Sequence, residues 1–418
     1  MEHPAGTSHG TACALAGASQ RRDDLSAERG GSMSSRFPRA RRLRATTMVS
    51  VLFPLGIVLP TVLSRTALAS PATSSCRNGW IVQQQSLSPS GLSDVTAAGQ
   101  DDAWAVGTGE GPFPDTTLIE YWNGTSWKRI PSPSPPRKGT SGDLLSGVTA
   151  LSPKDAWAVG GLGGVSGITD DTLIEHWNGS AWTLVKSPSP FLGGNELSAV
   201  AAVSAKDIWA VGGGNVISAK GTATALALHW DGATWEQVST PSPGAYNGLF
   251  GIATVPGTGQ LWAVGEKASA SFSSPTTPLI EHRSGRRWTV TATPAVSGGE
   301  LFGVTALGPT DAWAVGGVGT TALILHWNGN RWSRVGAPHS TLLYSIAAQS
   351  ITNAWAVGEG SLLHWNGSSW KSESWPKSSG AYLTSVAVSA STSGWTAWTV
   401  GQWGPSEQTR SLVLAHCS

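Results

Sequence analysis

From Leu92 to the C-terminus, apolar residues come in short alternating runs separated by Gly, Pro and Asn-Gly turns, and the same succession of runs keeps returning. One unit, Leu145 to Pro190, reads L-S-G-V-T-A, D-A-W-A-V-G, T-L-I-E-H-W-N-G-S-A-W-T-L-V, S-P-S-P. The W-A-V-G element starts at Trp104, Trp157, Trp209, Trp262, Trp313 and Trp355, and returns as W-T-V-G at Trp398, with spacings of 53, 52, 53, 51, 42 and 43 residues. Four period-2 runs in a unit of this length predict a four-stranded propeller blade. Strand one (L-x-x-V-x-A) is apolar enough for a crowded axis. Strand two alternates bulky Trp and Val with Ala, as a sheet buried on both faces requires. Asn-Gly (Asp231-Gly232 in one unit) between strands three and four predicts a tight hairpin. An isolated unit cannot bury both faces, so the units must stack into a ring.

The last unit, Leu383 to Ser418, supplies only three strands. Cys76-Arg77-Asn78-Gly79-Trp80-Ile81-Val82 reads as the missing fourth, with Trp80 as the seventh outer Trp. The fold expected is therefore all-β, a seven-bladed β-propeller of four-stranded antiparallel blades whose last blade is completed by the N-terminal strand. This alignment sets Cys76 beside Cys417, and the third cysteine, Cys13, lies far upstream. In an exported chain the pair is expected to form a disulfide, worth roughly 5 kcal/mol at most in the chain-entropy model.

The first residues have a different character. Arg36 to Arg44 is basic, Thr46 to Leu63 is apolar, and Ala67-Leu68-Ala69 offers small residues for cleavage before Ser70. Residues 1–69 thus read as an N-terminal extension with a signal peptide (Met33 is a plausible true start), and 70–418 as the propeller. The expected location is extracellular, with an uncleaved membrane anchor as the alternative. Without residues 1–69 the chain holds 18 Lys+Arg against 22 Asp+Glu, a net charge near −4. That balance gives no footprint for nucleic acid, and none is expected as a partner.

The glycine pairs after strand two (Gly160-Gly161, Gly212-Gly213, Gly316-Gly317), the His176-Trp177 to Trp182 spacing and the trailing Pro188 and Pro190 resemble kelch-type propeller repeats. The resemblance covers residues 75–418 and implies a propeller. Single glycines at Gly107, Gly265, Gly358 and Gly401, and His in place of Tyr on strand three, depart from that pattern. The resemblance also raises galactose-oxidase chemistry, but no cysteine remains for a Cys–Tyr cofactor once Cys76 and Cys417 pair.

Six histidines (His176, His229, His282, His326, His364, His416) read as one strand-three position. Equivalent points on different blades lie too far apart to share an ion, so no metal and no cofactor is expected. Each His is instead expected to hydrogen-bond within its own blade, to the Asp before the strand-two Trp (Asp102, Asp155, Asp207, Asp311). Recurrent Glu120, Glu175 and Glu281 and the repeat tryptophans read as core, which leaves Trp375, Trp395 and Trp403 as tryptophans with another purpose. Residues unique to one blade gather in the strand two–three and four–one connections, which alternation puts on one face. The candidate binding residues are Asp143, Glu196, Asn247, Glu300, Tyr246 and Trp403, the first four at the entrance to inner strands. No catalytic set stands out: Arg283, Arg286 and Arg287 sit together in a hairpin on the opposite face. The function expected is an exported, monomeric binding module for a glycan or extracellular protein. The alternatives are an extracellular glycoside hydrolase or related carbohydrate-active enzyme, and a structural cell-envelope protein.

Overall fold

The computed structural model describes residues 79–417, apart from 86–88, 100, 110–115, 134–141, 164–168, 192–193, 216–222, 271–273, 377–379, 390–394 and 405–408. The signal segment, Cys76, Arg137 and Lys138 lie outside the described residues, as do the side chains of Trp395 and Cys417. The described residues are all β, without a helix.

β1 spans Gly79–Gln85. The next four strands form an antiparallel sheet in sequence order: β2 (Ser90–Ala97), β3 (Asp102–Gly109), β4 (Thr116–Asn123) and β5 (Trp127–Ile130). The same order repeats in β6 (Leu144–Ser152), β7 (Asp155–Gly163), β8 (Thr169–Trp177) and β9 (Trp182–Leu184). It repeats again in β10 (Glu196–Ser204), β11 (Asp207–Asn215), β12 (Ala223–Trp230) and β13 (Trp235–Gln237), then in β14 (Tyr246–Val255), β15 (Gln260–Ala268), β16 (Thr277–Ser284) and β17 (Arg287–Val290). A single parallel pair, Ala223↔Tyr246, joins these last two groups into one eight-stranded sheet. β18 (Gly299–Gly308), β19 (Asp311–Val318), β20 (Thr321–Trp327) and β21 (Trp332–Arg334) follow, and then β22 (Leu343–Ser350), β23 (Asn353–Gly358), β24 (Leu362–Trp365) and β25 (Trp370–Ser372). The last three strands, β26 (Tyr382–Val388), β27 (Trp395–Trp403) and β28 (Arg410–Cys417), pair with β1 at the outer edge in the order β1-β28-β27-β26. The first strand thus completes the last sheet, with Gly79↔Cys417 and Trp80↔His416 in register.

Tryptophan ties the sheets together. The strand-two Trp of each group meets the strand-four Trp of the next edge-on: Trp104–Trp182 at 5.1 Å, Trp157–Trp235 at 5.6 Å, Trp209–Trp288 at 5.6 Å, Trp262–Trp332 at 5.3 Å and Trp313–Trp370 at 5.5 Å. Trp355–Trp80 at 5.1 Å and Trp398–Trp127 at 5.3 Å continue the series through the shared sheet and back to β5. Each such edge-to-face pair adds about 0.5–1.5 kcal/mol beyond the area it buries. Apolar clusters fill the space between successive sheets, and one of them joins Leu92 and Trp122 of the β2–β5 sheet to Trp398 and Val413 of the last.

The expected His–Asp bond is present for three histidines, and an amide residue stands in for the Asp at two more. His176, His229 and His326 meet Asp155, Asp207 and Asp311 at 2.9 Å, and His282 meets Gln260 at 3.0 Å. His364 meets Asn353 at 2.9 Å, while Tyr121 donates to Asp102. His416 departs from this scheme. Trp398 pairs with Ala415 where Trp157 pairs with His176, so His416 stands one place later, at the site of Trp177. There its ring lies 4.8 Å from Trp355, as Trp177 lies 5.1 Å from Trp104. The Asn-Gly hairpins share one build, with Asn178-Gly179 as the example. Trp177 pairs with Trp182 and leaves a four-residue loop, because Asn178 Oδ1 accepts from the amides of Ser180 (3.0 Å) and Ala181 (3.1 Å). Gly179 bends the chain there with φ 91°.

The final glycine of W-A-V-G faces a β-bulge. In every inner strand the ladder skips one residue: Leu92 pairs with Gly107 and Asp94 with Val106, leaving Ser93 extra. The bulge presses the inner strand onto that glycine. A Cβ on Gly212 would stand 1.9 Å from the Glu196 carbonyl oxygen, and the equivalent glycines are equally confined. The neighbouring Gly213 has room, its nearest atom being 4.0 Å away. Gly212→Ala should therefore lower stability by about 2 kcal/mol or more, while Gly213→Ala stays near wild type. Urea denaturation of the two variants checks this.

Candidate functional site

The inner strands β2, β6, β10, β14, β18, β22 and β26 surround a cavity of about 340 Å³. The residue that each bulge releases from the ladder lies in this wall. In chain order these are Ser93, Ser146, Ser198, Phe250, Phe302, Tyr344 and Thr384. The wall is two-sided. Phe250 stacks on Phe302 with centroids 5.6 Å apart, and Phe302 meets Tyr344 edge-on at 5.6 Å, so three consecutive sheets build an aromatic crescent. The other four inner strands present Ser or Thr. Phe302 and Tyr344 are buried and Phe250 is half-buried.

The next position along each strand is Asp94, Gly147, Ala199, Gly251, Gly303, Ser345 or Ser385. Here the side chain, where there is one to spare, bridges to the following sheet. Ser345 Oγ accepts from Val386 N (3.2 Å) and Asp94 Oδ2 from Val148 N (2.8 Å). Ser385 Oγ donates to Asp94 Oδ1 at 2.6 Å, and Asp94 Oδ1 also accepts from its neighbour Val95 N at 2.9 Å. Desolvation raises the Asp94 pKa above the usual carboxylate value, against these three hydrogen bonds. Asp94 is the sole charged residue among the described residues that line the cavity, and no Lys, Arg or His joins it there.

The six residues singled out from the sequence lie outside this lining. Asp143 is buried and its Oδ1 accepts from Gly163 N at 2.9 Å, tying the connection before β6 to the end of β7. Asn247 closes its own connection, accepting from Gly244 N (2.9 Å) and donating to Gly244 O (2.8 Å). Tyr246 packs with Ala223 and Ala268. Glu196 is buried opposite Gly213, and Glu300 stands opposite Gly317. Glu300 does reach the site electrostatically: desolvation first, then Glu359, Tyr382 and Glu300, push the Tyr344 hydroxyl pKa up. Trp403 carries the Arg410 guanidinium 5.3 Å from its ring centroid, and Trp375 is buried in the core. The described residues hold no group of three or more His, Cys, Asp or Glu placed for a metal.

Arg283 is better explained by packing than by anion binding. It occupies the position of Trp177 in its own sheet, with its guanidinium 4.3 Å from the Trp209 centroid. A cation–π contact thus stands where Trp122, Trp177, Trp230, Trp327 and Trp365 make a Trp–Trp contact. The bulge residues, by contrast, were missed. Their signal was the pair of variable positions between an unvarying Leu and the following Val or Ile of strand one.

No family model matches the chain, and no curated protein matches it in sequence. Solved structures do. "YCF48 bound to D1 peptide" superposes with a TM-score of 0.53 at 15% identity, covering 82% of this chain and 98% of that one. "Structure of U3-55K" gives 0.53 at 10% identity, covering 81% and 98%. Virginiamycin B lyase from Staphylococcus aureus gives 0.52 at 12% identity, covering 80% and 99%. Together with the four-stranded antiparallel sheets, these likenesses define the chain as a β-propeller.

Three buried glutamates on strand three lie between sheets. Glu120 accepts from Gln84 Nε2 at 2.9 Å, and Glu175 from Ser132 Oγ at 2.9 Å. Desolvation lifts both to a pKa of about 7 in spite of these bonds. Glu281 is buried too, neither carboxylate oxygen finds a donor among the described residues, and desolvation lifts it to about 8. A raised folded-state pKa means that the native form holds its proton where the unfolded chain, near 4.5, has lost it. This contribution to stability is full below pH 4.5 and is lost as pH rises through about 8. Glu281→Leu, the residue found at the equivalent Leu228 and Leu325, should make the denaturation midpoint fall less between pH 5 and pH 8.5 than it does in wild type. Its stability at pH 8.5 should exceed wild type by at least about 1 kcal/mol.

Proposed function

We propose that this chain is an exported, seven-bladed propeller that binds a segment of a partner protein at the end of its axial cavity. Residues 1–69 form the extension and cleaved signal, 70–418 form a closed ring, and a disulfide between Cys76 and Cys417 secures the junction. The antiparallel β1–β28 pairing and the unbroken series of Trp–Trp contacts support this arrangement. Under non-reducing conditions, intact-mass measurement of alkylated protein from residue 70 onward should find no free thiol, and Cys417→Ser should cost about 2–5 kcal/mol in denaturant melts. Two free thiols would remove the bridge from the proposal.

One observation carries the binding reading. The repeat is strict at core positions, with Leu opening all the inner strands, and it breaks at the two positions that line the cavity. Packing accounts for what recurs; the clustering of Phe250, Phe302 and Tyr344 on one side and hydroxyls on the other calls for a ligand. The inner strands start from the connections that carry the variable residues, so the bulges lie toward that face. A protein segment is favoured over a glycan because the non-repeat tryptophans open to description offer no free platform: Trp375 is core and Trp403 is covered by Arg410. A propeller of this fold, YCF48, is described with a peptide bound. The role proposed is recognition.

Peptide display against the mature chain, with a glycan array in parallel, tests this. Selected peptides should lose at least tenfold in affinity on Phe250→Ser, with the melting temperature held. Binding of glycans alone, or peptide binding indifferent to Phe250, would overturn the reading.

A further inference from the structure

Building on that reading, we propose that the cavity accepts a cationic side chain, a lysine or arginine of the partner segment, between the aromatic crescent and Asp94. The inference rests on how the two variable positions of the inner strands combine. Phe250, Phe302 and Tyr344 line one wall with π-electron density. Asp94 stands in the opposite, hydroxyl-bearing half, fixed by Ser385 Oγ and the Val95 and Val148 amides. An aliphatic stem ending in a positive charge matches both halves: its methylenes lie against aromatic faces, its charge is drawn to ring faces and carboxylate alike.

Among the described residues the one charged side chain of the lining is an acid. The lining holds no base among the described residues, and Glu300 and Glu359 act on the Tyr344 hydroxyl from beyond it. A carboxylate ligand would face Asp94 with no cation to offset it. A neutral apolar side chain would satisfy the crescent but leave the Ser385–Asp94 pair facing hydrocarbon. A cation is therefore the ligand group that every charged neighbour favours. The hydroxyls of Ser93, Ser146 and Ser198 provide acceptors for the N–H groups of an ammonium or guanidinium.

The test uses the mature chain and heptapeptides that differ only at the centre: Gly-Ser-Gly-X-Gly-Ser-Gly with X as Lys, Arg, Gln, Leu or Glu, measured by calorimetry at 50 and 300 mM salt. Lys or Arg should bind at least tenfold more tightly than Gln or Leu, Glu should not bind, and the preference should shrink at high salt. Asp94→Asn should abolish the preference. Since Asp94 is also hydrogen-bonded in the wall, Glu300→Gln serves as a second variant that leaves those bonds intact and should weaken the preference two- to fivefold. Equal binding of Lys and Gln peptides, still sensitive to Phe250→Ser, would overturn the cation inference and leave the peptide-binding reading standing. If none of the peptides binds while glycans do, both fall.

Discussion

Everything else in this molecule is arranged around one close contact: the bulge of each inner strand pressed onto the last glycine of W-A-V-G. The carbonyl oxygen before each inner-strand leucine lies about where a side chain on that glycine would begin. The bulge does two things at once. It lets adjacent inner strands converge at the axis, where Gly147, Gly251 and Gly303 accept the backbone of the next strand within 2.5–2.9 Å of a would-be Cβ. It also frees one residue per strand from the ladder and points the chain's variation inward. Core and site are therefore adjacent in sequence, separated by a single residue.

The periphery is held by a different interaction. The strand-two tryptophans other than Trp398 are used on several sides, as Trp157 is, with a strand-three His or Tyr of its own sheet on one and aromatic groups of the next sheet on the others. Where the neighbour lacks its Trp, another group with the right electronics stands in, Arg283 beneath Trp209 and His416 beside Trp355. The contact is thus preserved in kind even where the residue changes. This explains why a Trp-rich chain need not be a sugar binder: the indoles are consumed by the stacking of sheets.

The buried glutamates show the cost of departing from the repeat. Positions equivalent to Glu281 hold Leu228 and Leu325, so a carboxylate there is not demanded by packing. Glu120 and Glu175 each have a hydrogen-bond partner from the preceding sheet. Desolvation still dominates at all three, which ties the stability of the scaffold to mildly acidic conditions.

The amino-acid sequence by itself determined the unit, its four strands, the pairing of the first strand with the last three, and the structural use of histidine. These follow from local periodicity and from repetition, which a linear chain displays directly. Tertiary structure decided the rest. Asp143 and Asn247 looked like rim residues because they are unique and polar, yet both side chains are spent on backbone, Asp143 on the end of β7 and Asn247 on its own connection, since a buried polar group needs a hydrogen-bond partner. His416 was assigned one place early, since the irregular register between Trp395 and Ala397 cannot be read from spacing. The cavity wall was hidden for the same reason: strict alternation predicts which residues face a neighbouring sheet, and a bulge breaks that alternation at the place where Phe250, Phe302, Tyr344 and Asp94 meet.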